Sequence, residues 1–122
     1  MGLFSRKPAE VIAEFDKRAY GCNALNNDGT SRASYVAKLK KGEDLFFKPA
    51  PTKEYPDTIG VFTKKGHQIG FLHYTFVNEL RGTYRNNKAS AIVAEVEGSG
   101  QGLSVLMRIK IYKYSTIRQR LR

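Results

Sequence analysis

The chain has 122 residues, and 21 lysines and arginines against 11 aspartates and glutamates give it a formal net charge of +10. This length suits one domain, and a hydrophobic fraction of 41% excludes a wholly disordered chain. No run reaches the ~18 apolar residues of a membrane-spanning helix, and the first residues lack the apolar stretch of a signal peptide.

The N-terminal third of the sequence contains one predicted helix and one earlier segment that fits either a helix or a strand. Residues 8–14 show helical spacing of apolar side chains, whereas a strand around residues 15–24 is the competing assignment. The turn sequence Asn-Asn-Asp-Gly then leads into a helix that Thr30 or Ser31 would cap. We expect this helix to run to about Lys41, because a glycine follows it.

Short strands separated by turn residues dominate the rest of the chain, with one further helix from about Tyr74 to Gly82. The last strand is the clearest, because its apolar and polar residues alternate. The predicted strands cover residues 45–47, 59–62, 68–72, 90–96 and 103–112. The expected fold is therefore mainly β (α+β), a five- to six-stranded OB-like or SH3-like β-barrel with two short helices.

The basic residues concentrate toward the C-terminal end of the chain. Residues 98–122 contain six of the 21 basic residues and no acidic residue. We expect a short basic segment over residues 1–14, the barrel over residues 15–114 and a basic tail over residues 115–122. A basic end of this kind favours a polyanionic partner through electrostatic attraction and counterion release.

The sequence contains no recognisable catalytic or metal-binding motif. Cys22 is the single cysteine, and neither His67 nor His73 lies near it in sequence. One cysteine and two separated histidines do not supply a structural zinc site. The glycine-rich segment 98–102 joins two strands and lacks the spacing of a dinucleotide loop. We expect a non-enzymatic protein without a cofactor, located in the cytoplasm, where a lone cysteine stays reduced.

Tyrosines interleaved with lysines and arginines indicate a binding surface. Single-stranded nucleic acid is bound by aromatic faces that stack bases and by cations that follow the backbone. Tyr112 shares the outward face of the last strand with Arg108 and Lys110, and Tyr114 follows on the same side. Arg32, at the start of the capped helix, is a second candidate phosphate contact. Packing in the core or at a sheet edge is the alternative interpretation of most aromatic residues in a small β protein.

Four blocks of sequence occur in a characteristic order. They are Asn27-Asp28-Gly29-Thr30-Ser31-Arg32, Leu45-Phe46-Phe47, Tyr55-Pro56-Asp57-Thr58-Ile59-Gly60-Val61 and Gly66-His67-Gln68-Ile69-Gly70-Phe71-Leu72. In order and spacing they resemble the HIRAN domain family over roughly residues 15–114. The resemblance implies a small β-barrel with a helix after the first strand. It also implies a binding module, since the best-studied HIRAN domains belong to fork-remodelling helicases and capture the 3′ end of single-stranded DNA.

The resemblance further implies a set of contact residues. Tyr55 would supply a ring for the terminal nucleotide, and Glu54 or Asp57 a carboxylate, although Asp57 stands where the family usually has asparagine. His73 and Tyr74 occupy the place of an expected basic residue. We expect bases to stack on Tyr20, Tyr55 and Tyr74 and phosphates to contact Arg32, Lys48, Arg108, Lys110 and Lys113. The alternative function is a protein-interaction module that docks an acidic partner, such as a helicase or repair protein, through the basic tail and the barrel edge.

Overall fold

Six strands and two short helices make up the fold, in a computed structural model that describes residues 10–99 and 102–113. The elements are β1 (Val11–Arg18), α1 (Arg32–Val36), β2 (Asp44–Pro49), β3 (Ile59–Thr63), β4 (Gln68–Phe71), α2 (Tyr74–Arg81), β5 (Lys88–Glu97) and β6 (Ser104–Tyr112). Neither described helix is long and apolar enough to cross a bilayer.

All strands belong to one antiparallel sheet in the order β1-β6-β5-β2-β3-β4. The sheet curls until its two edges approach each other, and an isolated antiparallel bridge joins Tyr20, just after β1, to Phe71 at the end of β4. Their backbone N–H groups donate reciprocally to the two carbonyls at 2.8 and 2.9 Å. The sheet is otherwise not closed, so the predicted small barrel with two helices is confirmed in a barrel-like, partly open form.

The core lies inside this curled sheet, and β6 supplies its centre. The inward side chains of β6 alternate along the strand as predicted, and each is fully buried; they are Val105, Met107, Ile109 and Ile111. Val36 of α1 and Phe76 of α2 are buried in the same core. A continuous buried set of this kind provides most of the stability of a small domain.

The N-terminal segment forms a strand and not a helix. β1 pairs with β6 from Val11 opposite Tyr112 to Arg18 opposite Leu106. The helix expected over residues 8–14 is therefore wrong for the described residues, and the competing strand begins earlier and ends earlier than expected. The apolar residues of this segment fit either period, and pairing with the long alternating strand β6 decides between them.

The first helix is shorter than predicted. α1 ends at Val36, and backbone bonds of the i to i+3 type follow it, from the Lys38 N–H to the Tyr35 carbonyl and from the Leu39 N–H to the Val36 carbonyl. Gly42, at φ +91°, donates its N–H to the Val93 carbonyl of β5 at 2.7 Å. The chain must therefore leave the helix early to reach the sheet.

Pro49 is the last residue of β2, which agrees with the prediction that the prolines end this strand. It is opposite Ile59 of β3, whereas β5 pairs only with Asp44 and Leu45 at the start of β2. The proline therefore faces no partner strand on its other side, which is where a strand tolerates it. The predicted basic tail over residues 115–122 and Tyr114 lie outside the described residues.

Candidate nucleic-acid interface

Three ring side chains form an exposed cluster beside the point where the sheet edges meet. The Tyr20 and His73 ring centroids are 5.0 Å apart, and those of His73 and Tyr74 are 4.6 Å apart. Tyr20 is 48% exposed and Tyr74 is 70% exposed. We call Tyr20, His73 and Tyr74 the aromatic cluster; it offers ring faces to solvent that a single-stranded base can reach.

The fold positions each of these rings by a different contact. The bridge to Phe71 fixes the Tyr20 backbone. His73 caps α2, because its Nδ1 accepts the Thr75 backbone N–H at 3.2 Å and lies 2.9 Å from the Thr75 hydroxyl. Tyr74 is the first residue of α2. The cluster therefore exists only when the two sheet edges are joined and the helix has formed.

Arg32 brings a positive charge next to the aromatic cluster. Its Nε donates to the Asn26 side-chain oxygen at 2.8 Å, and its Nη1 donates to the Gly21 carbonyl at 3.1 Å. Partial burial lowers the pKa of the guanidinium, which nevertheless remains charged at neutral pH. In the described part of the chain it has no carboxylate partner, so its remaining N–H donors and its charge are free for an anion.

Gly21 makes this close arrangement possible. Its φ is +75°, in the left-handed region that favours glycine. A Cβ at this position would lie 2.5 Å from Cε1 of Phe71 and 3.1 Å from Nη1 of Arg32. The ring of Phe71 and the guanidinium of Arg32 therefore both pack against the backbone that follows Tyr20.

A row of residues that lie opposite one another in neighbouring strands continues this surface. Lys48 of β2 is opposite Gly60 of β3, Gly60 is opposite Phe71 of β4, and Phe71 is opposite Tyr20. Residues directly opposite in antiparallel strands point to the same face of the sheet. We call these four residues the cross-strand row, and together with the aromatic cluster and Arg32 they form the candidate interface.

Aromatic side chains border the Lys48 end of the cross-strand row. The Lys48 ammonium lies 5.4 Å from the centroid of the Phe62 ring, a cation–π contact. Phe46 is opposite Phe62 and is 43% exposed. A Cβ on Gly60 would lie 2.8 Å from Cε1 of Phe62, so the glycine lets the phenylalanine lie flat over the strand.

The predicted terminal-nucleotide residues lie in a loop that α2 holds in place. Tyr55 is 67% exposed, and its backbone is fixed because its N–H donates to the Thr52 hydroxyl and its carbonyl accepts the Thr58 hydroxyl. Nη1 of Arg81 donates to the Asp57 carbonyl at 2.9 Å and lies 3.7 Å from the Asp57 carboxylate.

Tyr74 and Arg81 lie seven residues apart on α2, and this spacing places them on one side of the helix. Because Arg81 contacts Asp57, the loop is tethered along the side of α2 that begins with Tyr74. Glu54 is exposed in the same loop and makes no ion pair within the described residues.

The basic residues predicted at the end of the chain lie elsewhere, and one of them, Arg108, is paired with acids. Nε of Arg108 is 3.2 Å from Asp16 and 3.6 Å from Glu14. Lys110 is opposite Glu14 in the neighbouring strand. Lys113 follows β6 and is exposed, and its N–H donates to the Glu10 carbonyl. The structure thus brings Tyr20, Arg32, Lys48, His73 and Tyr74 into one surface and leaves Arg108, Lys110 and Lys113 on the β1–β6 half of the sheet.

Sequence reasoning missed Phe62 and Phe71, which belong to this surface, because their position depends on strand register. Tyr84 is another tyrosine that lies near basic residues in the sequence. Tyr84 is partly buried, with its ring centroid 5.9 Å from that of Phe15, and therefore packs against the core.

Comparison with protein-family models and with curated proteins gives no match. Among solved structures, the chain is similar to the HIRAN domain of human HLTF, with a TM-score of 0.62 and 12% identity, over 91% of this chain and 84% of that one. It is also similar to a protein from Lactobacillus plantarum, with a TM-score of 0.57 and 16% identity, over 83% of this chain and 98% of that one. These similarities confirm that the chain has a HIRAN-like fold.

Proposed function

We propose that this protein is a binding module for single-stranded nucleic acid, DNA in preference to RNA, and that the candidate interface makes the contact. The observation that carries the proposal is the hydrogen bond from Arg32 to the carbonyl of Gly21, which places its charge next to Tyr20 of the exposed aromatic cluster. Bases stack on these rings, while Arg32 and Lys48 attract the phosphates on either side. A duplex hides its base faces, so single strands are preferred.

The binding is expected to depend strongly on salt. The chain carries a net charge of +10, and phosphate contacts release counterions from the strand. With roughly three to five contacts at about 0.7 each, the log–log slope of affinity against salt should be about −2 to −3.5.

Titration of labelled single-stranded and duplex oligonucleotides at two salt concentrations tests the proposal. Lys48→Gln should weaken binding to all sequences and reduce the slope by about 0.7, because it removes one phosphate contact. Arg108→Gln is the matched control, since it removes one charge that is already paired with Asp16. Failure of the wild-type protein to bind any single strand at ~50 mM salt contradicts the proposal and favours the protein-docking alternative.

We extend the proposal to the 3′ end of the strand, with the terminal base on Tyr55. A carboxylate beside Tyr55 would accept a hydrogen bond from the 3′ hydroxyl and repel a 3′ phosphate. Arg81 already contacts Asp57, whereas Glu54 has no cation partner among the described residues. We therefore assign this carboxylate to Glu54.

Competition between strands that end in a 3′ hydroxyl, strands that end in a 3′ phosphate and circular strands tests the extension. Glu54→Gln should remove the discrimination, and Asp57→Asn, the matched control in the same loop, should keep it. Equal affinity of the wild-type protein for all three strands refutes 3′-end recognition and leaves the general proposal intact.

A further inference from the structure

A concave site separate from the candidate interface lies at the turn between β3 and β4. It is a cavity of about 300 Å³ that we call the hairpin pocket. Its lining comes from α1 and the residues after it (Tyr35, Lys38 and Leu39) and from the β3–β4 turn (Lys64, Lys65 and His67). None of the residues of the candidate interface lines it. Its volume lies at the lower end of the range for small-molecule sites.

The hairpin pocket carries an excess of positive charge. Lys38, Lys64 and Lys65 contribute three ammonium groups, and none of them forms an ion pair with another described residue. Glu43 contributes the opposing carboxylate, whose Oε1 already accepts the Lys40 backbone N–H at 2.7 Å. Three cations around one small cavity repel each other, and a bound anion relieves this repulsion.

The pocket also has an aromatic wall, formed by two rings that stack on each other. The ring centroids of Tyr35 and His67 are 4.1 Å apart at an interplanar angle of 31°, and both residues are partly exposed. The turn holds the histidine in place, because the His67 N–H donates to the Thr63 hydroxyl and the His67 carbonyl accepts the Thr63 N–H. Because each ring covers one face of the other, a planar base would contact an outer face or an edge of this stacked pair.

We propose that the hairpin pocket binds a nucleotide, with its phosphate on the three lysines and its base against the Tyr35–His67 wall. The nucleotide is either a free mononucleotide or one unit of a longer strand. The proposal does not rest on the proposed function, because a protein that captures no oligonucleotide at Tyr20 and Tyr74 still has this pocket.

The test is a titration of the full, isotope-labelled chain followed by amide NMR shifts. The probes are adenosine monophosphate, adenosine and inorganic phosphate, each at ~50 mM salt. Adenosine monophosphate should shift the amides of residues 63–67 and bind at least about tenfold more tightly than either of the other probes, because only it uses both the lysines and the wall. Absence of shifts at residues 63–67, or equal affinity for inorganic phosphate and the nucleotide, overturns the proposal.

Charge substitutions provide the matched comparison. The triple variant K38Q/K64Q/K65Q should lose about tenfold in affinity for adenosine monophosphate, as expected for three exposed charge contacts. The control variant K40Q/K41Q/K53Q changes the net charge equally at exposed residues outside the pocket, and it should stay within about twofold. Equal losses in the two variants would show non-specific attraction and overturn the assignment. If the first triple variant does not fold in a thermal melt, K64Q/K65Q at the turn tip replaces it.

The source of the nucleotide is resolved by a single strand of roughly 12 nucleotides, added to a Tyr74→Ala variant with a weakened interface. Shifts at residues 63–67 with this strand assign the pocket to one unit of a longer chain. Shifts with adenosine monophosphate alone assign it to a free nucleotide. Shifts with neither ligand overturn the proposal.

Discussion

Truncation of Tyr74 is the sharpest test of the aromatic cluster, because this ring contributes little to folding. The residue is 70% exposed, so about 30% of a ring side chain of about 200 Å², or about 60 Å², is lost from contact. At about 25 cal/mol per Å² this is at most about 1.5 kcal/mol, and the higher helix propensity of alanine offsets about 0.5 kcal/mol. Stability should therefore fall by about 1 kcal/mol or less.

Binding should fall further than stability. Loss of one base-stacking ring typically costs about 1–3 kcal/mol, which corresponds to roughly a 5- to 150-fold weaker affinity. Fluorescence anisotropy with a labelled single strand measures this loss, and a thermal melt of the same sample measures stability. Tyr74→Phe keeps the ring and should keep the affinity within about threefold, since the loss is assigned to stacking and not to the hydroxyl.

A control substitution distinguishes a local contact from a general effect on the surface. Ile12→Ala truncates an exposed apolar side chain eight residues before Tyr20, about 26 Å away along an extended chain. Its affinity should equal that of the wild-type protein. A folded Tyr74→Ala variant that binds as tightly as the wild-type protein would refute the role of the aromatic cluster.

Three further expectations concern the surroundings of the interface. In thermal melts, Gly21→Ala should be less stable than Gly29→Ala, because both positions have positive φ, worth roughly 1–2 kcal/mol of strain, but only Gly21 would press a Cβ onto Phe71. Burial raises the pKa of the Cys22 thiol, so the folded chain keeps this proton to higher pH than the unfolded chain. The stabilisation that the protonated Cys22 thiol contributes to the free energy of unfolding is therefore complete below pH ~8.5 and is lost as the pH rises above this value. Denaturation of the wild-type protein and of Cys22→Ala at several pH values measures this contribution. Arg108→Gln should cost less than about 1 kcal/mol in denaturation and leave oligonucleotide affinity within about twofold, because its charge is already paired on the surface.

The sequence predicted those elements whose pattern is local. β6 alternates buried apolar residues with outward residues that include only one aliphatic side chain, Leu106, and the β3–β4 hairpin carries its glycine at the turn, where Gly66 has φ +89°. β1 was misassigned because a segment with few apolar residues fits two periods, and only its pairing with β6 selects one of them. α1 was overextended because its end depends on the hydrogen bond from Gly42 to β5, which is a tertiary contact.

Prediction of the site was likewise limited to what local sequence patterns show. Tyr20 and Tyr74 were expected as stacking residues from the resemblance, and the structure shows them on either side of His73. The charge count along the last strand ignored the acids of a strand about 90 residues earlier in the chain, although Asp16 lies directly opposite Arg108. Sequence shows how many charges a segment carries, but only strand register shows which charges are neutralised.

The candidate interface lies at the closing bridge, so we expect the proposed binding to be linked to the opening of the barrel. The Tyr20–Phe71 bridge is an isolated pair at two sheet edges, and such contacts open at lower free energy than central strands do. Separation of the edges moves Tyr20 away from His73, so a ligand stacked across the aromatic cluster binds only the closed form. At a ligand concentration of 100 times Kd, this linkage stabilises the closed form by about 2.7 kcal/mol. Hydrogen exchange at the Tyr20 and Phe71 amides should then slow by about 100-fold when a single strand is bound. Exchange at the Ile109 amide, in the central strand β6, should slow less if this amide exchanges through motions that leave the two sheet edges joined. Unchanged exchange at both bridge amides under saturating ligand would show that binding does not require the closed edge, and would move the contact away from the aromatic cluster.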